Sequence, residues 1–203
     1  AYLAIKGAIS SGAGFISAIL PDLVANSIWE VEPEVVIAGR LYSDSNGNSI
    51  LFDALKNLDF SSYDSIVIGP GIGLDKNDWE KSTEYLLDIK GLLILDADAL
   101  NRVSKSNLGS KFFLKRKSET WITPHYKEFI RLFPEIDCTN RVELAKKAAG
   151  DFNISILLKG ANSIIANNEK AWQLFGTDAE TARAGLGDLL SGFIGGSSAI
   201  DLS

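Results

Sequence analysis

The fold of this chain is indicated by the stretch Leu92-Leu93-Ile94-Leu95-Asp96-Ala97-Asp98-Ala99-Leu100-Asn101. Four consecutive large aliphatic residues are typical of a strand that is buried on both faces, as in a parallel sheet. Two acids follow at once, and Asp98 is placed either to cap the next helix or to hold a ligand hydroxyl or a magnesium-bound water. The stretch therefore predicts a buried parallel strand that ends in a polar cluster.

Three other apolar runs end in the same way. They are Ser65-Ile66-Val67-Ile68 before Gly69-Pro70-Gly71-Ile72-Gly73, Thr120-Trp121-Ile122 before Thr123-Pro124-His125, and residues 154–158 before Lys159-Gly160. Because ligands bind outside the carboxyl ends of the strands in open α/β sheets, these four clusters predict one site at one sheet edge.

The segments between the runs complete the fold prediction. Apolar residues at helical spacing cover 78–89 and 141–149, with Thr139 and Asn140 as candidate caps of the second helix. Residues 163–166 and 170–175 predict a hairpin. The alternation predicts an α/β fold of three layers, with a mostly parallel sheet and helices on both faces.

Composition narrows the class of protein. The chain has 203 residues, 46% of them apolar, and a net charge of −6, which suits one soluble domain and argues against nucleic acid as a partner. The run Lys115-Arg116-Lys117 is short and is predicted to be solvated surface. The single cysteine, Cys138, indicates a reducing compartment. Neither a signal peptide nor an 18-residue apolar run is visible, so we expect a cytoplasmic protein without a membrane span.

Near the C-terminus, Ala184-Gly185-Leu186-Gly187-Asp188 precedes an apolar run that reads as a helix. The amides before such a helix form an anion site, strengthened by the helix dipole. An acid there would repel a phosphate, so Asp188 is better suited to accept a proton while the amides hold the phosphate. The alternative is that Asp188 only caps an ordinary helix.

Three further features of the sequence each have a functional and a purely structural interpretation. His125, the only histidine, lies at a strand end, although a loop histidine is often only a surface residue. Lys159 follows a buried strand and requires a phosphate or a neighbouring Asp as partner, unless it extends into solvent. Residues 69–73 lack the G-x-G-x-x-G spacing of a dinucleotide fingerprint, so we predict no Rossmann NAD site. Two interpretations of this loop stay open: its amides contact a phosphate or sugar, or it forms a plain turn.

Taken in order, these motifs resemble one family, the ATP/ADP-dependent NAD(P)H-hydrate dehydratases of the ribokinase-like superfamily. The matching stretches are Ser11-Gly12-Ala13-Gly14, residues 69–73, residues 96–101, Thr123-Pro124-His125-Tyr126-Lys127-Glu128, Leu158-Lys159-Gly160-Ala161 and residues 184–188. The resemblance covers essentially the whole chain, which we interpret as one domain over residues 1–203.

The resemblance implies a lyase that repairs NADH or NADPH to which water has added. The family phosphorylates the added hydroxyl with ADP or ATP, phosphate leaves, and the reduced cofactor is restored; Mg²⁺ is the expected charge screen, with no residue assigned as its ligand. Asp188 is the implied base, and Gly73 and His125 join it in contacting the hydrate. The implied nucleotide-binding residues are Lys159, Gly160, Ala161, Asn162, Ser163, Gly185 and Gly187. Secondary candidates are Asp98, Asn101 and Glu128.

Departures from the family pattern keep two alternatives open. Tyr126-Lys127 replaces Pro-Gly, and Ala184 and Leu186 replace a Gly and a hydroxyl residue in the anion loop. The alternatives are a vitamin or sugar kinase of the same superfamily and a non-catalytic nucleotide-binding protein. The family has segments before Ala1 and beyond Ser203, so the resemblance implies a domain that is incomplete at both ends. A fused epimerase domain and assembly of identical subunits are further expectations.

Overall fold

The computed structural model describes residues 1–175 and 183–202, and strands alternate with helices along them. The helices are α1 (Tyr2–Ser10), α2 (Asp22–Ser27), α3 (Leu51–Asn57), α4 (Lys76–Asp88), α5 (Ala97–Lys105), α6 (Lys111–Lys115), α7 (Tyr126–Leu132), α8 (Arg141–Phe152) and α9 (Leu186–Leu202). The strands are β1 (Ser17–Pro21), β2 (Val36–Leu41), β3 (Ser65–Ile68), β4 (Leu92–Leu95), β5 (Thr120–Ile122), β6 (Ser155–Leu158), β7 (Ile164–Ala166) and β8 (Ala171–Gln173).

Six of these strands form one sheet in the order β3-β4-β5-β6-β7-β8. Strands β3 to β6 are parallel, and β6, β7 and β8 pair in an antiparallel manner. The remaining strands, β1 and β2, form a separate parallel pair. The mostly parallel sheet and the β7–β8 hairpin are therefore confirmed.

Strand β4 is covered on both faces, as its continuous apolar run predicts. A Cβ built on Gly195 of α9 would lie 2.6 Å from Val67 and 3.7 Å from Ile94, so α9 packs against the face that carries these two side chains. Leu93 and Leu95 point to the opposite face, where they belong to the main apolar core with residues of α4, α5 and α8. Helices on both faces of the sheet are confirmed.

Helix ends follow the local sequence closely. The side chain of Asn140 accepts a hydrogen bond from the amide of Val142 at 2.8 Å and begins α8, so Asn140 rather than Thr139 is the cap. Asp75 caps α4 in the same way, and α4 starts two residues earlier than predicted. Differences of this size are ordinary at helix ends.

Helices α1 and α9 approach one another at glycines. A Cβ on Gly192 would lie 1.8 Å from the carbonyl oxygen of Ala4, and one on Gly7 would lie 1.9 Å from that of Leu189. No side chain fits at either position, so the two backbones lie in direct contact. The packing fixes the direction of α9, whose first turn carries Asp188.

The basic run is not entirely solvated surface, and the prediction for Arg116 is wrong. Its guanidinium is buried and donates to the hydroxyl of Thr120 and to the carbonyl oxygens of Leu86, Ile89, Gly91 and Glu119. These acceptors lie at the C-terminal end of α4 and at the amino ends of β4 and β5. Burial lowers the pKa of Arg116 to about 10, which still leaves it charged at neutral pH.

Candidate active site

Three neighbouring strand ends meet around one ion pair. Asp96 follows β4, Thr123 follows β5 and Lys159 follows β6. Because β5 lies between the other two strands, Lys159 reaches across the end of β5, and its Nζ lies 2.7 Å from Oδ1 of Asp96. The Asp96 side chain is 1% exposed and that of Lys159 is 22% exposed. A neighbouring Asp thus supplies the partner that Lys159 requires, and the alternative of a lysine that only extends into solvent is wrong.

The two acids after β4 have different partners. Asp96 caps α5, because its Oδ1 also accepts from the amide of Ala97 at 2.8 Å. Asp98 is not the cap; its Oδ2 accepts from the amide of Gly73 at 2.9 Å. Asn101 donates to the carbonyl of Ala97 within the same helix. Asp98 is therefore placed against the 69–73 loop, whereas the Asn101 side chain is used inside α5.

Residues 69–73 are held closely against the strand end. A Cβ on Gly69 would lie 1.8 Å from the carbonyl oxygen of Asp96, so only glycine fits there. Gly73 has a φ of +75°, and a Cβ on it would lie 2.4 Å from Oδ1 of Asn48. The same Asn48 oxygen accepts from the amide of Leu74. Glycine at position 73 is thus required by the turn and by Asn48 before any ligand is considered.

The turn that contains Asn48 is a fifth polar cluster, and sequence reasoning missed it. It follows β2, and the carboxylate of Asp44 accepts from the amides of Asn46 and Asn48 and from the Asn48 side chain. These hydrogen bonds, with the Asn48 side chain the strongest contributor, lower the pKa of Asp44. The Ser-Asp-Ser-Asn-Gly-Asn run over 43–48 was the available signal.

His125 begins α7 through a capping box. Its Nδ1 accepts from the amide of Glu128 at 3.2 Å, and Oε2 of Glu128 accepts from the His125 amide at 2.8 Å. The His125 side chain remains 49% exposed, whereas that of Glu128 is 7% exposed. Backbone pairing with Lys159, whose amide donates to Pro124, holds this segment beside the end of β6. Glu128 is therefore used inside the cap, while the His125 ring faces outward at the same edge.

The turn between β6 and β7 closes on itself. The hydroxyl of Ser163 donates to the carbonyl of Gly160 at 3.1 Å, and Ala161 and Asn162 are exposed at its tip. Arg141 lies against this turn: it donates to the carbonyl of Lys159 at 3.2 Å, and a Cβ on Gly160 would lie 2.8 Å from its Nη2. Sequence reasoning missed Arg141, because it reads as an ordinary first-turn charge of α8.

The start of α9 lies over the same ion pair. Helix α9 begins at Leu186, and Gly185 before it has a φ of +86°. A Cβ on Gly187 would lie 3.2 Å from Nζ of Lys159. Asp188 stands in the first turn rather than at the cap position, so the capping alternative is wrong; its side chain is 34% exposed, and Oδ2 lies 4.0 Å from the Ala1 nitrogen.

Buried polar atoms without a partner lie at this corner, as well as in α4, where Nε1 of Trp79 and Oγ of Ser82 are unpaired among the described residues. Oδ2 of Asp96, Oγ1 of Thr123 and Nε of Arg141 are buried and have no hydrogen-bond partner among the described residues. Buried polar atoms in proteins are nearly always paired. A shallow depression around Tyr63, Lys90 and Glu119 lies at the amino edge instead. The polar arrangement rather than the surface shape therefore marks the carboxyl edge as the candidate site.

The three-layer architecture and the strand-end site define a ribokinase-like α/β protein. The structure of a ribokinase from Thermotoga maritima aligns with a TM-score of 0.62 at 15% identity, covering 94% of this chain and 70% of that one. This likeness establishes the fold alone.

More similar proteins give the family. The family model for NAD(P)H-hydrate dehydratase matches residues 1–201, and the chain belongs to this family. A bifunctional NAD(P)H-hydrate repair enzyme from Synechocystis is 35% identical over 197 residues, covering 97% of this chain and 36% of that protein. The structure of the Bacillus subtilis ADP/ATP-dependent NAD(P)H-hydrate dehydratase, co-crystallised with ATP and Mg²⁺, aligns with a TM-score of 0.76 at 26% identity, covering 98% and 67%. The chain spans little more than a third of the length of the bifunctional relatives.

Proposed function

We propose that this chain converts hydrated NADH or NADPH back to the reduced cofactor, with ADP or ATP as phosphoryl donor. Its family membership supports this reaction. A further relative, named ADP-dependent (S)-NAD(P)H-hydrate dehydratase, from Nitrosopumilus maritimus, is 28% identical over 195 residues and covers 93% of this chain and 64% of that protein.

One observation carries the proposal: Nζ of Lys159 lies between the carboxylate of Asp96 and the first turn of α9. A cation beside a helix N-terminus attracts a phosphate, since both bring positive potential to one point. Asp188 stands one residue beyond Gly187 on that turn. It is therefore placed to accept a proton close to the position at which a phosphoryl group would be held.

The proposed steps use these residues in sequence. Asp188 takes the proton of the added hydroxyl while the hydroxyl oxygen bonds to the terminal phosphorus, and the bond from that phosphorus to the nucleotide breaks. The amides of Gly185 and Gly187 and the Lys159 ammonium stabilise the transferring charge. Phosphate then leaves with the C–O bond electrons, and loss of a proton from the neighbouring ring carbon restores the double bond.

The remaining residues divide between the two ligands. The turn formed by Gly160, Ala161, Asn162 and Ser163 would carry the nucleotide on the Lys159 side. Gly73 and the outward ring of His125 would contact the hydrate. Asp98 would act through Gly73, and Glu128 through His125, because both acids are hydrogen-bonded to these residues.

Mg²⁺ would screen the phosphate charges. The described residues contain no group of three or more His, Cys, Asp or Glu side chains suited to a metal ion. Mg²⁺ commonly keeps several waters and binds through substrate phosphates and only one or two carboxylates. We therefore assign no side chain as its ligand.

A second activity, the subunit assembly and the location of the protein stay predictions. The bifunctional names of several relatives support the expectation of a second activity in the same protein. That this activity is an epimerase stays an expectation from the family resemblance. Assembly of identical subunits and a cytoplasmic location are expectations from the sequence. Among the described residues, no helix combines the length and the apolar character needed to cross a bilayer.

The direct test supplies NADH hydrate with ADP or ATP and Mg²⁺ and follows the NADH absorbance together with phosphate release. We expect both signals to rise in equal amounts. Asp188→Asn should lower kcat by about 10²- to 10⁴-fold, because Asn keeps the shape but accepts no proton. The control is Asp151→Asn, which removes an exposed acid that pairs with Lys147.

Other outcomes would overturn the proposal. A stable phosphorylated product without NADH would indicate a small-molecule kinase. ADP binding without any turnover would indicate a non-catalytic nucleotide-binding protein, for which the altered Ala184 and Leu186 are the support. Activity of Asp188→Asn within about threefold of the unmodified protein would remove Asp188 as the base.

A further inference from the structure

Arg102 is a completely buried cation that the proposed chemistry does not use. It projects from α5, and its side chain is 0% exposed. Its Nε donates to the carbonyl of Gly73 at 2.8 Å, and its Nη1 donates to Oδ2 of Asp78 at 2.8 Å. Its Nη2 donates to the carbonyls of Ser49 and Ile72 at 2.9 and 2.6 Å. Every nitrogen of the guanidinium is therefore engaged.

The acceptors of Arg102 come from three separate segments. Ser49 belongs to the turn after β2, Ile72 and Gly73 to the loop after β3, and Asp78 to α4. Asp78 in turn accepts from the amides of Leu51 and Phe52 at the start of α3. The planar guanidinium group can donate to several acceptors in fixed directions. One side chain thus sets the relative positions of two strand-end loops and two helices.

Both the amide and the carbonyl group of Gly73 are hydrogen-bonded to side chains of α5. Its carbonyl accepts from Arg102, and its amide donates to Asp98, also on α5. The next amide, that of Leu74, donates to Asn48. The position and direction of this peptide are consequently determined by α5 and by the turn after β2.

We propose that Arg102 is a positioning residue for the hydrate side of the site, acting through Gly73 and the turn after β2 without touching a ligand. The inference rests on the proposed function, in which Gly73 contacts the hydrated cofactor. Lysine cannot replace this arginine, because a single ammonium cannot serve acceptors in four directions and would leave buried carbonyls unpaired. The nucleotide side depends on Lys159 and lies outside this network.

The test compares Arg102→Lys with Arg116→Lys. Arg116 is the matched control, since it is also a buried arginine that donates to carbonyl oxygens, but at the amino edge of the sheet. Both variants are assayed below their unfolding temperatures. For Arg102→Lys we expect KM for NADH hydrate to rise at least tenfold while Kd for ADP stays within twofold. For Arg116→Lys both constants should stay within twofold.

Hydrogen–deuterium exchange of the ligand-free proteins gives a second measurement. Segments 44–49 and 69–74 should exchange at least tenfold faster in Arg102→Lys and at the unmodified rate in Arg116→Lys. If Arg102→Lys does not fold, Asp78→Asn replaces it, with the same direction and a smaller effect expected. Equal exchange in the two lysine variants would overturn the proposal, and so would an unchanged KM for the hydrate.

Failure of the proposed function would look different. An unmodified protein that binds ADP but never turns over NADH hydrate refutes the function, whatever the variants do. The exchange experiment then still decides whether Arg102 fixes the Gly73 loop.

Discussion

The two sides of the candidate site are each held by an arginine, but to different degrees. On the Gly73 side, Arg102 is buried and donates to four acceptors. On the Lys159 side, Arg141 donates to the carbonyl of Lys159, and its buried Nε has no partner among the described residues. Oδ2 of Asp96 and Oγ1 of Thr123, at the ends of β4 and β5, are also buried and unpaired within the described part of the chain. The polar groups around Gly73 are thus hydrogen-bonded to one another, whereas the Lys159 side keeps hydrogen-bonding capacity that a ligand can use.

Replacing each arginine with methionine tests this comparison most severely. Arg102→Met leaves the buried Asp78 carboxylate and several carbonyls without a donor, so we expect the free energy of unfolding to fall by about 3–5 kcal/mol. Arg141→Met removes one hydrogen bond at a half-buried position and should cost about 1 kcal/mol. Denaturant unfolding of the ligand-free proteins measures both values. Equal losses would show that the two sides are held alike.

The ion pair on the Lys159 side gives the next largest effect. Lys159→Ala should weaken ADP binding by about 10- to 100-fold, since a charge-assisted hydrogen bond is worth about 1.5–3 kcal/mol. Calorimetric titration should show a smaller loss for the hydrated cofactor. The stability should also fall, because Asp96 loses its partner.

A double variant separates these two roles of Lys159. Lys159→Ala combined with Asp96→Asn should recover most of the stability, because no buried carboxylate is left unpaired and Asn can still cap α5. It should not recover the affinity for ADP. Recovery of both would indicate a lysine with a structural role only.

A further prediction concerns the packing of α9 against α1, which depends on close backbone contacts at glycines. Gly192→Ala places a methyl group on the backbone of α1 and should cost about 1–3 kcal/mol. Gly150→Ala is the control: Gly150 lies inside α8 with nothing within 4 Å of its added Cβ, so it should gain about 0.5–1 kcal/mol. Thermal unfolding measures whether each variant gains or loses stability relative to the unmodified protein. A stabilising Gly192→Ala would mean that the two helices can separate at no cost.

The sequence predicted those parts of the molecule that hydrophobic pattern controls. Strand β4, the hairpin and the four strand-end clusters followed from apolar runs bounded by polar or glycine residues. Arg102 and Arg116 could not be predicted in this way, because a charged residue is expected at the surface. Their burial depends on carbonyl oxygens contributed by distant segments, and no local pattern records where those oxygens point.

The same limit applies inside the candidate site. Asp98 is a possible helix cap by its sequence, but Asp96 takes that position because α5 begins two residues earlier than a cap at Asp98 would require. Lys159 needed a partner, and only the order of the strands selects Asp96 from the available acids. The residue types were therefore predictable, whereas the pairings required the tertiary structure.

Under the proposed function, the reach of Lys159 across the end of β5 links nucleotide binding to the alignment of the strands. Asp96 and Lys159 meet only when β4, β5 and β6 are paired as they are here, and a slip of one residue would turn Lys159 to the other side of the sheet. A ligand that binds Lys159 therefore stabilises the correctly aligned sheet and none of its misaligned alternatives. The fraction of a sample that binds ADP thus becomes a measure of how much of it has its strands in the native alignment.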